Sequence, residues 1–179
     1  MSSKDLFASK LASGTAVASK MALWWPKHCH ASIEFLAACA DGRDGIHELG
    51  KSVVVIAKEW EEAVSVAKGR RAGAEVGLMV EHAVLETDLV YAVFNNNLQA
   101  IERAADRMVD NAKVQATRYA HSITGFPASS FGNLIQEHVD LFIESVRSRF
   151  DRNARAAAKC SAKMDENAVA LAAIAAEWF

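Results

Sequence analysis

The fold class is decided by residues 35–67, which read FLAACADGRDGIHELGKSVVVIAKEWEEAVSVA. Ten positions in this stretch follow one another at alternating steps of four and three: Phe35, Cys39, Gly42, Ile46, Leu49, Val53, Ile56, Trp60, Ala63 and Ala67. This spacing places small and apolar residues on one face of an α-helix and is typical of a seam between packed helices. Three glycines interrupt its first half, and each costs about 1 kcal/mol of helix propensity, so the helix can bend or break within residues 41–45.

Helical periodicity also runs through residues 3–23, 74–123 and 130–179. Pro26 is expected to stop the first stretch, and the glycines of residues 69–73 indicate a turn. The last stretch repeats the apolar seam, most clearly at Ile135, Phe142, Val146 and Phe150. We also expect one or two of Asn95, Asn96 and Asn97 to face polar partners across a seam. Ser129 or Ser130 is expected to cap the last helix.

These patterns predict an all-α protein in which long amphipathic helices form a bundle or a coiled-coil-like assembly. We divide it into an N-terminal amphipathic segment, residues 1–26, and a helical domain, residues 27–179, with an internal repeat. A shift of 56 residues aligns 78–82 (LMVEH) with 134–138 (LIQEH) and also pairs Asn97 with Asn153. The repeat indicates a duplicated helical unit.

The composition excludes several classes of protein. The net charge is -2 with no clustered basic face, so we expect no nucleic-acid partner. No run of eighteen apolar residues is present, and the N-terminus lacks the apolar core of a signal peptide, so we expect neither a transmembrane segment nor secretion. An odd count of three cysteines, Cys29, Cys39 and Cys160, fits a reduced cytoplasm.

Histidines and carboxylates leave a metal centre open as an alternative. His82 and Glu86 lie one helical turn apart, as do His30 and Glu34, and His121 and His138 could complete a set. The arrangement superficially resembles the hemerythrin family, but it lacks a His-x-x-x-His pair, and the Glu-x-x-His spacing of ferritin-like sites is absent. We therefore interpret these histidines as structural and predict no catalytic residue, no cofactor and no metal ligand.

The tripeptide His28-Cys29-His30 is a second candidate, for zinc. Four ligands are needed and no further Cys/His cluster stands nearby in the sequence, so we interpret it as a polar turn after Pro26. Two aromatic clusters, residues 23–25 (LWW) and 178–179 (WF), suit contact with an apolar phase or docking on neighbouring helices.

Residues 31–50, ASIEFLAACADGRDGIHELG, followed by IAKEW at 56–60, are similar to the opening segment of phasins, the helical proteins that coat polyhydroxyalkanoate granules. Residues 73–76 before 80–82, and 127–131 before 134–137, resemble the phasin segment in which a small turn precedes a long helix. The resemblance covers about residues 28–165. It departs from the family in its four tryptophans, its N-terminal helix and the residue at the usual starting Asn.

The resemblance implies a non-enzymatic, granule-associated cytoplasmic protein that forms homo-oligomers and lays an amphipathic seam on polyester. The seam residues predicted for that surface, or for the oligomer, are Phe35, Ile46, Leu49, Val53, Ile56, Trp60, Ile135, Phe142, Val146 and Phe150. Two alternatives use the same helices: a scaffold or adaptor acting through protein–protein contacts, and a metal-binding helical bundle that would depend on His82 or His138.

Overall fold

The computed structural model describes residues 3–68 and 77–178, with side chains described from residue 18 onward except at 21, 67 and 68. This part of the chain contains six α-helices and no β-strand, which confirms the all-α prediction. The helices are α1 (Ser3–Ala40), α2 (Ile46–Lys68), α3 (Leu78–Phe94), α4 (Leu98–Ser122), α5 (Ala128–Phe150) and α6 (Ala154–Trp178). The predicted turn at residues 69–73 and the side chain of Phe179 lie outside the described residues.

The six helices form three hairpins, α1/α2, α3/α4 and α5/α6. The first helix of each hairpin lies inside, where α1, α3 and α5 contact one another. Each second helix packs between two inner helices: α2 between α1 and α3, α4 between α3 and α5, and α6 between α5 and α1. The described helices therefore surround a single apolar core in a closed arrangement with approximate three-fold repetition.

The three hairpin turns begin with the same backbone conformation. Each places the residue that ends the inner helix in the left-handed region, at φ 63° for Gly42, 53° for Asn96 and 57° for Arg152, and the longer first turn has a second such residue, Gly45 at φ 80°. In each turn the next residue's N–H bonds a carbonyl five residues back, as in a Schellman motif: Arg43 to Ala38, Asn97 to Ala92 and Asn153 to Ser148. The turns therefore terminate the inner helices at equivalent points.

Buried amides link the two helices of the second and third hairpins. Asn111 donates from Nδ2 to the Leu78 carbonyl and to Glu81 Oε2, both at 3.1 Å. The same pair of bonds recurs 56 residues later, from Asn167 to Leu134 O at 2.9 Å and to Glu137 Oε2 at 3.1 Å. An asparagine side chain also caps α4 and α6, since Asn97 and Asn153 each accept an N–H three residues ahead.

The first hairpin has the same plan at a different spacing. Its inner helix matches α3 at a shift of 54 residues, which pairs Trp25 with Met79 and Gly42 with Asn96. The turn then contains Asp44 and Gly45 as two extra residues before α2 begins at Ile46. A single fixed shift cannot detect this copy, because the insertion changes the register within the hairpin.

Several expected boundaries are wrong. Pro26 lies inside α1, which continues through the expected stop and across the division between residues 26 and 27. Pro26 is exposed while Trp25 and His28 beside it are buried, so core packing holds the helix together despite the missing N–H. Residues 95–97 form the turn between α3 and α4 instead of facing a seam.

The last helical stretch also differs from expectation. It breaks at residues 151–153, where Asp151, Arg152 and Asn153 form the third hairpin turn. Its first helix begins at Ala128 after Pro127 without a side-chain cap, so neither predicted serine serves as the cap. The break was missed because apolar periodicity continues through it, while arginine gives no turn signal.

The predicted seam faces the interior of the chain's own bundle. Seven of its residues are buried: Phe35, Val53, Ile56, Trp60, Ile135, Phe142 and Val146. The other three, Ile46, Leu49 and Phe150, are partly buried and pack against the same core. In the part of the chain that the structure describes, no helix combines the length and apolarity required to span a bilayer.

The shared turn makes a stability prediction. We expect Arg152→Gly to raise the free energy of unfolding by roughly 0.5–1 kcal/mol, because glycine adopts positive φ without the steric cost that a side chain carries. Gly42→Ala is the reciprocal variant. A Cβ at this position would meet no atom within 4 Å, so the only effect is the steric cost of positive φ for alanine, and the free energy of unfolding should fall. Urea denaturation measures both, and equal signs for the two variants would contradict this explanation.

Candidate metal centre

Three histidines converge at the centre of the bundle, one from each inner helix. His28 lies on α1, His82 on α3 and His138 on α5, at equivalent positions in the three hairpins. Their ring centroids are 5.8 Å (His28–His82), 6.0 Å (His28–His138) and 5.6 Å (His82–His138) apart, nearly an equilateral triangle. All three side chains are 0% exposed.

One carboxylate lies among the three imidazoles. Glu86 follows His82 by one turn of α3 and is 1% exposed. Its Oε1 is 3.3 Å from His82 Nε2 and 3.4 Å from His138 Nε2, and its Oε2 is 3.3 Å from His28 Nε2. Ser32, at the position in α1 that corresponds to Glu86, donates its hydroxyl to Oε2 at 2.7 Å. The carboxylate is therefore oriented from the opposite helix.

These distances suit coordination of one metal ion. In a tetrahedral site with bonds of about 2.0–2.2 Å to nitrogen and oxygen, neighbouring ligand atoms are roughly 3.3–3.5 Å apart. Two of the nitrogen–oxygen distances share Glu86 Oε1, at 3.3 Å to His82 and 3.4 Å to His138, and fall in that range, while His28 Nε2 lies 3.3 Å from the other oxygen, Oε2. The four ligand atoms, one from each residue, all lie within 4.8 Å of one another.

The hydrogen bonding of the histidines gives independent support. Both ring nitrogens of His28 and of His82, and Nδ1 of His138, are buried without a hydrogen-bond partner. Buried polar atoms in folded proteins are generally paired, so a group of this size needs an explanation. A metal ion at the centre would bind the Nε2 atoms and so account for those of His28 and His82, whereas the three Nδ1 atoms, protonated in that case, would still lack a partner.

Charge at the centre favours an ionised Glu86. Burial alone would raise the pKa of its carboxyl group. The charges of His28 and His82, together with the contacts from His138 and His28, outweigh burial and hold that pKa well below its ordinary value. Glu86 is thus the anionic group of the set, and a bound divalent cation would require the three imidazoles to be neutral.

Tryptophans enclose one side of the cluster. The indole of Trp24 stacks on the His28 ring with a centroid distance of 4.8 Å and an interplanar angle of 11°. Trp25 packs edge-on against His138 at 5.5 Å and against His28 at 6.0 Å. In the first aromatic cluster, Trp24 and Trp25 therefore dock in the core, at 5% and 0% exposure, whereas Leu23 is 70% exposed.

The structure selects among the histidines that sequence analysis considered. His82, Glu86 and His138 belong to the cluster, whereas His30, Glu34 and His121 are exposed. Glu81 and Glu137 point elsewhere, as expected, since they bond Asn111 and Asn167.

His28 is the member of the cluster that sequence analysis placed in a different candidate, the tripeptide 28–30, and interpreted as part of a polar turn. The tripeptide read as a polar turn is helical: His28 and Cys29 are buried and His30 is exposed. Burial first, and then the charges of Glu86 and Asp165, raise the pKa of the Cys29 thiol to about 12. Cys29 is not among the residues whose ligand atoms converge at the centre. A repeat search that allowed the two-residue insertion would have paired His28 with His82 and His138.

Comparisons with protein-family models, with curated proteins and with solved structures found no match. The similarity to phasins therefore stays a prediction.

Proposed function

We propose that this protein is a metal-binding helical bundle that holds one divalent transition-metal ion between its three hairpins. The ligands are the Nε2 atoms of His28, His82 and His138 and a carboxylate oxygen of Glu86. The single observation that carries the proposal is that three buried imidazoles from three equivalent helices surround one buried carboxylate, each with Nε2 within 3.4 Å of a carboxylate oxygen.

The donor set narrows the choice of ion. Imidazole nitrogen suits Zn²⁺, Cu²⁺, Ni²⁺ and Fe²⁺, and the single carboxylate adds a hard oxygen donor without any thiolate. One negative ligand leaves a net charge of +1 for a divalent ion, which lowers the cost of burying it. Co²⁺ is a useful probe, because its visible absorption is intense in tetrahedral sites and weak in octahedral ones.

The site has the character of a closed structural centre. Four protein ligands fill a tetrahedral shell, and all four side chains are at most 1% exposed. Catalytic zinc sites usually keep one position for water or substrate, whereas structural sites use four protein ligands. The ion would therefore act mainly by fastening the three hairpins to one another.

Stoichiometry is the primary test of the proposal. Protein produced without an affinity tag, stripped with chelator and dialysed against Zn²⁺ or Co²⁺, should bind one ion per chain and give the intense visible spectrum of tetrahedral Co²⁺. Elemental analysis and optical titration measure the two quantities. Absence of stoichiometric binding, or a weak octahedral Co²⁺ spectrum, would contradict the proposal.

Metal should also stabilise the fold. An ion that binds only the folded state adds about 4 kcal/mol to the free energy of unfolding when its free concentration is 1,000 times its dissociation constant. We expect removal of metal with EDTA to lower the midpoint temperature of thermal unfolding. Zn²⁺ added in an amount that saturates the EDTA and leaves one equivalent per protein chain should restore it. Calorimetry of Glu86→Gln serves as the control, because this variant should show little response to either treatment.

The granule-coat function remains a separate prediction. Binding polyester through the predicted seam requires the hairpins to open, because Val53, Trp60 and Phe142 are buried in the core. Co-sedimentation with polyhydroxybutyrate granules, with liposomes as control, tests it. Selective granule binding by the metal-loaded folded protein would show that a different surface carries that function.

A further inference from the structure

A surface groove between α1 and α2 approaches the metal centre. It has a volume of about 420 Å³ and is lined by Lys20, Leu23, Trp24, Lys27, Glu59, Glu62, Ala63 and Val66. The inner wall of the groove is Trp24, whose indole stacks on His28. A single side chain therefore separates this groove from one of the four ligands.

The contact that joins the two helices at this level differs among the hairpins. Trp24 occupies the position of Leu78 and Leu134, whose carbonyls accept hydrogen bonds from buried Asn111 and Asn167. In the first hairpin the indole N–H of Trp24 donates instead to the Ile56 carbonyl of α2. All three bonds run from a side chain to a backbone carbonyl, but only in the first hairpin is the donor the same side chain that covers a histidine of the cluster, so rotation of the Trp24 indole breaks the bond and uncovers His28 together.

The charged partner of that contact also differs. Glu81 and Glu137 each bond the buried asparagine of their hairpin. At the corresponding positions the first hairpin has Lys27 paired with Glu59, and these side chains are 53% and 51% exposed. An exposed ion pair contributes little to stability because water and salt screen it. The first hairpin therefore lacks the buried asparagine bonds that join the helices of the other two at this level.

Pro26 adds a local weakness in the backbone. It lies between Trp24 and His28 on α1 and has no N–H to donate to the Ala22 carbonyl. Val80 and Gln136, at the matching positions of α3 and α5, retain their N–H groups. Proline is a common cause of bending in helices, so α1 can bend at this point at lower cost than α3 or α5.

We propose that the metal ion enters and leaves through this groove. Rotation of the Trp24 side chain opens the route, and bending of α1 at Pro26 allows that rotation. The proposal rests on the metal-binding function argued above. In the closed state the Trp24 indole covers His28. In the open state the bond to the Ile56 carbonyl and the stacking on His28 are both lost, and the first ligand to meet solvent is His28.

The test is the rate at which Co²⁺-loaded protein releases its ion to excess EDTA, followed by the visible absorption of bound Co²⁺. Trp24→Leu installs the residue that the other two hairpins carry, and we expect it to accelerate release about tenfold, because it removes both the stacking and the hydrogen bond. Pro26→Ala restores the helix bond and should slow release at least threefold.

Leu78→Ala and Leu134→Ala are matched controls, since they truncate the equivalent positions of the second and third hairpins. We expect each to change the release rate less than twofold. Equal acceleration by Trp24→Leu and Leu134→Ala, no slowing by Pro26→Ala, or release that matches the rate of global unfolding in every variant would each overturn the proposed route. Failure of the wild-type protein to bind Co²⁺ would instead overturn the metal-binding function itself.

Discussion

Replacing His138 with alanine should lower the affinity of the protein for Zn²⁺ or Co²⁺ by more than about 100-fold, since loss of a ligand exceeds the 10–100-fold effect of outer-shell changes. His138 lies on α5, 52 residues beyond Glu86 in the chain, so its loss would disconnect the third hairpin from the ion. The expected result is loss of the tetrahedral Co²⁺ spectrum and of stoichiometric zinc. Competition against a chromophoric chelator measures the change.

Two exposed histidines provide the controls for this experiment. His30 lies on the same inner helix as His28, and His121 lies near the end of α4, yet both are outside the cluster. His30→Ala and His121→Ala should each retain one ion per chain with affinity within about twofold of wild type. Stoichiometric binding by His138→Ala, or its loss in His121→Ala, would show that the metal binds elsewhere.

The second large effect is expected at the predicted seam. Val53 is 0% exposed in the core, so Val53→Asp would bury a carboxylate that has no assigned cationic partner. We expect a loss of about 3–5 kcal/mol, a large part of the usual stability of a domain, and therefore partial or complete unfolding of the single chain. Circular dichroism and urea denaturation at several protein concentrations measure the loss.

Val55 offers a matched control two residues away. It lies on the same helix and is 52% exposed, so Val55→Asp should change stability by less than about 0.5 kcal/mol. A seam that served only an external surface would give a different result, in which Val53→Asp stays folded as a monomer and loses only assembly or polymer binding. The pair of variants therefore separates a core role from a surface role.

The helices could be predicted because their signals are local. Alternating steps of four and three from Phe35 to Trp60 predicted the buried face of the first hairpin, and all but the glycine-rich turn follows that pattern. The turns were predicted less completely than the helices. The glycines at 42 and 45 indicated a break, whereas Arg152 adopts the same left-handed conformation in a residue type that gives no such signal.

The metal centre could be predicted only in part, because its ligands come from three helices that are far apart in the sequence. His82 and Glu86 are one turn apart and were visible as a pair. Nothing in the local sequence distinguishes His28 from His30. Both follow Pro26, which suggested a turn, and only the packing of the helices decides that the ring of His28 is buried. Triplication of the hairpin supplies that information, but an insertion in the first turn concealed it.

The most direct test of the account is X-ray absorption spectroscopy at the metal edge of the Zn²⁺-loaded protein. Coordination by His28, His82, His138 and Glu86 predicts a single shell of four nitrogen or oxygen atoms at about 2.0–2.1 Å, with the outer-shell scattering of three imidazoles and no sulfur. A shell of five or six oxygen-dominated ligands with one imidazole at most would describe a surface site, and would contradict a metal ion at the centre of the three hairpins.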